Sequence, residues 1–280
     1  VISRGPEYLF HSHSPQGHFF SMQSGTKKVL SLVIIITATI FIGSYFYYDE
    51  INKAEDPRIL PAKQLYLQFD KELESDEYVR SLTLLDQMLA IYRSTPGYEN
   101  SYEIGVMLND KATVFLVELE TEILTNENVE KKDLTKPLAV AADYTNQAIS
   151  TYENWMKDMG SLSEGEIKER ISPYFKANDP AFVDMNADRL LKKRIRQILD
   201  AQVETPRRLS VSLTNLGMIN RYLGNLQEAK ANYESAIELW DRNYTAKDNL
   251  AILLNQPVKK RSMLSRLFPP EKIDKNKKKE

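Results

Sequence analysis

Residues 210–254 read SVSLTNLGMINRYLGNLQEAKANYESAIELWDRNYTAKDNLAILL, and the fold turns on this stretch. Apolar and small residues fall at Leu213, Leu216 and Gly217, and again, beyond Gly224-Asn225, at Leu226, Ala229, Tyr233 and Ala236. That is the period of two amphipathic helices separated by a turn. Gly217 on the first helix and Ala229 on the second are small enough for the two backbones to approach closely, and Gly224 supplies the turn. Tyr233 and Ala236 are left to face a further helix. Asn215-Leu216-Gly217 recurs as Asn249-Leu250-Ala251, 34 residues on, so the unit starts again before residue 255.

Upstream the same spacing recurs in weaker form. Ser81, Leu85, Met88 and Tyr92 are separated like Ala229, Tyr233, Ala236 and Trp240, and so are Ala141, Thr145, Ala148 and Tyr152. Strand-like alternation is almost absent, and the periodicity predicts helices over Ala62–Leu73, Asp76–Tyr92, Ser101–Leu124, Thr135–Met156, Ala181–Val203, Pro206–Leu223, Leu226–Trp240 and Thr245–Leu254. Turn residues at Ser94-Thr95-Pro96-Gly97 and Gly224-Asn225 make neighbouring helices antiparallel.

The positions named in 210–254 resemble the tetratricopeptide repeat (TPR) family, with the best repeat at 210–243 and a partial repeat or cap at 244–255. The stretch from Ala62 to Met156 resembles it less closely. The resemblance implies an all-α fold, an α-α superhelical array of TPR-like helical hairpins over 58–255, which binds protein segments in a groove lined by the first helix of each hairpin. The groove would be lined by Thr214, Asn215, Met218, Arg221 and Tyr222, with Asp248, Asn249 and Ile252 from the next helix. Asparagines at this position in family members hydrogen-bond a peptide backbone or a terminal carboxylate. The lysines of a carboxylate clamp are missing, because Val211 and Thr245 stand four residues before the two asparagines.

Composition narrows the chemistry. The 280 residues contain no cysteine, which excludes disulfides, thiolate metal sites and thiol nucleophiles. The three histidines, His11, His13 and His18, all precede residue 22, so the rest of the chain lacks an imidazole general base or metal ligand. Gly160 and Gly165 have the spacing of a phosphate-binding loop, but Glu166 occupies the place of its lysine and the segment reads as a loop. Catalytic, metal and cofactor-binding residues are therefore not expected, and the chain is not expected to be an enzyme. Asn243-Tyr244-Thr245 is formally a glycosylation sequon.

Val29–Tyr48, VLSLVIIITATIFIGSYFYY, holds twenty residues without a charge, enough for a helix to cross a bilayer. Lys27 and Lys28 precede it, Asp49 and Glu50 follow it, and Tyr45–Tyr48 form an aromatic belt, which favours a body on the non-cytoplasmic side. A cleaved signal peptide wants small residues at the cleavage site; Ser44 with Ile42, and Gly43 with Phe41, fit poorly. Residues 1–28 read as a flexible leader with a single acid, Glu7.

Charge is local. The net charge of −2 argues against nucleic acid. Arg189, Lys192, Lys193, Arg194 and Arg196 form a basic patch beside Leu191, Ile195 and Ile198. Residues 256–280 carry nine Lys or Arg against three acids, a net of +6 that leaves the preceding chain at −8. The tail reads as basic and disordered, able to meet anionic lipid or an acidic partner.

The leader, span and TPR-like body together resemble mitochondrial inner-membrane adaptors of the i-AAA protease, facing the intermembrane space, and bacterial inner-membrane TPR proteins facing the periplasm. The acid-poor leader tilts toward the first. The expected function is a membrane-tethered adaptor or scaffold that holds a protein partner near a membrane complex, in protein quality control. The alternative is a structural assembly subunit of a membrane complex whose groove is permanently filled; last comes an enzyme using carboxylates in the irregular region Gly160 to Phe182, for which no constellation of residues speaks.

Overall fold

The computed structural model describes residues 55–125 and 134–258. The leader with its histidines, the apolar span 29–48 and the tail from 259 onward lie outside the described residues. Among the described residues every regular element is helical, and no helix is long and apolar enough to cross a membrane.

Among the described residues eight α-helices follow in order: α1 Leu60–Glu74, α2 Tyr78–Ser94, α3 Tyr102–Thr125, α4 Thr135–Met159, α5 Glu164–Ile171, α6 Ala187–Tyr222, α7 Leu226–Leu239 and α8 Tyr244–Leu253. Short 3₁₀ turns, Ser172–Tyr174 and Pro180–Phe182, lie between α5 and α6. Helices α1 and α2, α3 and α4, and α6 and α7 pack as hairpins; α2 also packs on α3, α4 on α6, and α7 on α8. The main core gathers Leu85, Met88, Val114, Tyr152, Trp155 and Ile198, and a second cluster gathers Leu116, Leu119, Leu138, Ala141 and Ile219.

Two hairpins are keyed by a ring seated on a glycine. A Cβ on Gly217 would stand 2.5 Å from the Tyr233 ring, and one on Gly105 would stand 2.6 Å from the Tyr152 ring. Both tyrosines are fully buried. The second contact resets the register expected upstream: Tyr152 does the work of Tyr233, so Ala148 matches Ala229 and Trp155 matches Ala236. Two turns separate this from the expected alignment, in which Tyr152 matched Trp240. The cause is length, since α4 runs ten residues further before its tyrosine than α7 does. Ser81, Leu85, Met88 and Tyr92 of α2 and Ala141, Thr145, Ala148 and Tyr152 of α4 are all buried, so burial alone does not choose between the two alignments.

Pro206 does not divide two helices. It lies inside the single 36-residue α6, where sequence reasoning placed a break between Val203 and Pro206. An interior proline costs about 3 kcal/mol. Burial continues across it, through Ile198, Ala201, Thr205 and Leu209, and α4 runs alongside, from Met159 at Gln202 to Leu138 and Ala141 at Ile219. The Gln202 amide also donates to the carbonyls of Met159 and Leu162, at 2.6 and 2.9 Å, tying this turn of α6 to the end of α4.

The segment before α6 also differs from expectation. Helix α6 begins at Ala187 rather than Ala181, capped by the Asn186 side chain, and Pro180–Phe182 is a separate turn with Asp179 as its cap. Gly165 lies in α5, not in a loop. Ser163 and Glu166 form a reciprocal capping box at its start, so the glutamate in the lysine's place has a structural task. Arg58 fastens this segment to the start of the body. Its guanidinium pairs with Asp56 at 2.7 Å and lies over the stacked rings of Phe175 and Phe182, 5.0 and 4.7 Å from their centroids.

Candidate partner-binding face

The first helices of the three hairpins, α1, α3 and α6, and the last described helix, α8, are linked by polar side chains. Tyr66 of α1 donates to Asp110 of α3 at 3.1 Å. From α6, Ser212 donates to Asn109 of α3 at 2.8 Å, and the Asn215 amide reaches Asn109 and Thr113 at 3.2 and 3.4 Å. Arg221 donates to Asn249 of α8 at 3.4 Å and lies over the Tyr222 ring. Asn109, Asn215 and Asn249, on α3, α6 and α8, are all half-buried. Each keeps part of its surface toward solvent.

The eight residues expected to line a groove divide. Asn215, Met218, Arg221, Asp248 and Asn249 are half-buried and Ile252 is 52% exposed. Tyr222 packs on the Leu116–Leu119 cluster. Thr214 turns inward: at 2% exposure it accepts from Asn243 and offers a partner no surface. Asn243 holds this joint, donating to the Ser210 hydroxyl and carbonyl and to Thr214, while its oxygen caps Ala246 at the start of α8. Its amide is buried, so the sequon at Asn243 is closed to a glycan in the folded protein.

The basic patch divides too. Arg189, Lys192 and Arg196 are exposed, Lys193 pairs with Glu55, and Arg194 is buried. Arg194 grips Glu103 of α3 with both terminal nitrogens, at 2.5 and 3.3 Å, and its guanidinium lies 4.1 Å over the Tyr98 ring. Burial alone would raise the Glu103 carboxyl, but the adjacent guanidinium outweighs it and holds the group below its usual value. Arg194 therefore ties α6 to α3 and to the loop before it. Neither Glu103 nor Tyr98 stood out in the sequence.

Asp110 is the other charged group that sequence reasoning missed. Burial pushes its carboxyl up to about 6, against the pull of the Tyr66 hydrogen bond and of Arg208, with Asp70 adding to the rise. A carboxyl raised in the fold favours folding in its neutral form; the benefit is complete below about pH 4 and is lost as pH climbs through the folded value. Asp110→Asn keeps an acceptor for Tyr66 and removes the charge. This variant should exceed the parent in stability at neutral pH by up to about 3 kcal/mol, at roughly 1.4 kcal/mol per unit, with no difference near pH 4. Urea unfolding at both pH values reads it, and a gap independent of pH would place the titration elsewhere.

No protein-family model matches the chain, and no curated protein matches it at a significant level.

Proposed function

We propose that the chain is a non-enzymatic scaffold that captures a segment of a protein partner along the layer formed by α1, α3, α6 and α8. The TPR-like reading enters on the same footing. Its support is the ring-on-glycine seat repeated at Gly105 with Tyr152 and Gly217 with Tyr233. The observation that carries the binding reading is the row of half-buried amides Asn109, Asn215 and Asn249 on α3, α6 and α8. A primary amide both donates and accepts, which suits an extended peptide backbone whatever its side chains. In this reading the span 29–48 tethers the body to a membrane, which raises the local concentration of a captured segment near a membrane complex without any new contact. Protein quality control beside an inner membrane is the setting this architecture suits.

The test is proximity labelling in intact cells from a tag at the C-terminus, comparing the parent with Asn215→Ala/Asn249→Ala. The parent should label a membrane complex and its clients, and the variant should keep the membrane proteins but lose most client labelling. Undiminished client labelling by a variant of unchanged helicity would move the binding surface off this layer, and labelling of soluble proteins alone would remove the tether.

A further inference from the structure

The described body begins at Glu55, and that residue is held from two sides. Its carboxylate takes Lys63 of α1 on one oxygen and Lys193 of α6 on the other. The junction with the preceding chain is thereby fixed beside the first half of α6. Arg189, Lys192, Lys193 and Arg196 share one face of that helix, since three or four residues make about one turn. Lys192 and Arg196 are exposed, as is Arg189. From 188 to 200 the surface of α6 carries these four bases against two acids, Asp188 and Asp200, because Arg194 is buried on Glu103.

The opposite charge collects at the far end of α1. Glu72, Glu74, Asp76 and Glu77 stand there against Lys71 and Arg80, and Arg80 is paired with Glu72. At about 1.5 Å per residue α1 is roughly 22 Å long, more than two screening lengths of about 8 Å at physiological salt. The two ends therefore present separate fields: positive beside Glu55, negative where α1 stops.

Upstream of Glu55 only residues 49–54 intervene before the uncharged stretch 29–48. Seven peptide steps from Tyr48 to Glu55 reach at most about 25 Å. With 29–48 read as a membrane tether, that length keeps the basic end of the body close to a bilayer.

We propose, on the footing of the tether reading, that the α6 face of Arg189, Lys192 and Arg196 docks on the headgroups of anionic phospholipids. Each base brought to an anionic surface strengthens the hold about five-fold, while the acidic end of α1 is repelled. The body is thus given an orientation as well as an anchor. Headgroups are the occupant the tether itself supplies, at a local concentration that no diffusing acidic protein matches.

The chain has no cysteine, so a dye can be placed at one chosen position. Gln64→Cys and Ser75→Cys put it at exposed sites near opposite ends of α1. The labelled full chain is reconstituted into vesicles with headgroup acceptors, made of phosphatidylcholine alone or with added phosphatidylserine. Energy transfer from position 64 should rise about two-fold with phosphatidylserine and fall back in about 1 M salt, where the screening length drops to about 3 Å. Transfer from position 75 should not rise. Lys192→Glu/Arg196→Glu, with helicity unchanged, should abolish the response, and Lys192→Arg/Arg196→Lys should keep it. Equal transfer in the two kinds of vesicle, a rise at both positions, or a rise that survives the charge reversal overturns the docking while leaving the tether standing. Capture of poly-glutamate that phosphatidylserine does not displace would also overturn it, by giving the face to an acidic protein. Release of the chain from every vesicle by carbonate washing would instead remove the tether, and the docking with it.

Discussion

Arg194→Ala is expected to destabilise the fold by about 3–5 kcal/mol, the usual cost of removing one partner from a buried ion pair. The side chain is 3% exposed, shares both terminal nitrogens with Glu103 and lies over Tyr98, so three connections between α6, α3 and the preceding loop go with it. Its removal also strands a carboxylate that is 13% exposed. In the parent, Glu103 is held below its ordinary value, so it contributes stability above the usual carboxylate range and loses it as pH falls. Without the guanidinium, burial, the largest influence and one that raises a carboxyl, is opposed only by the hydrogen bonds from Ser101 and the Glu103 backbone. The sign reverses: the variant's deficit should be greatest at neutral pH and should shrink toward pH 4. Urea unfolding at two pH values measures both effects. Adding Glu103→Leu to Arg194→Leu should recover most of the loss, because an apolar pair of similar volume avoids burying charge. Arg194→Lys should not recover it, since a single ammonium cannot grip two oxygens and stack on a ring. A deficit that is the same at both pH values would mean that packing over Tyr98, not charge, is what Arg194 supplies.

Gly105→Ala and Gly217→Ala are each expected to destabilise by about 1–3 kcal/mol, the usual range for overpacking a well-filled core. Helix propensity alone predicts the opposite, a gain of up to about 1 kcal/mol for glycine to alanine inside a helix. The decisive fact is distance. The added methyls would lie 2.6 and 2.5 Å from the rings of Tyr152 and Tyr233, well inside van der Waals contact, and both rings are fully enclosed. The helices of each hairpin must therefore separate. The two costs should add, since the sites share no partner. Tyr233→Leu should rescue part of the loss in Gly217→Ala and none of it in Gly105→Ala. A gain in stability from either alanine would show that the ring moves aside at little cost.

Much of the helical layout was legible because it is local. The turn at Gly224, the small and aromatic positions of α7 and the pattern of α2 follow from periodicity and turn chemistry within a few residues. The same local rules misread three places. Ser163 and Glu166 are a capping box that was plain in the residues but was weighed only as a failed phosphate loop. Pro206 reads as a break by every local rule, and stays helical because burial continues on both sides of it. In α4 the ring seated on a glycine is Tyr152, two turns from the place the spacing gave it, and Gly105, 47 residues earlier on α3, is the signal that spacing within one helix could not supply.

Of the candidate face, the sequence showed Asn215 and Asn249 but not Asn109 or Asp110, since nothing local joins α3 to α6. Taken by itself, the sequence determined an all-α chain of paired helices, because helical period and turn residues act over one or two turns. Only the tertiary structure decided which charges are surface and which are scaffold. Lys192 and Arg194 sit two residues apart in one basic patch, yet the first is in solvent and the second is buried. The difference is made by Glu103, 91 residues away, which lets a guanidinium leave water where an unpaired one could not.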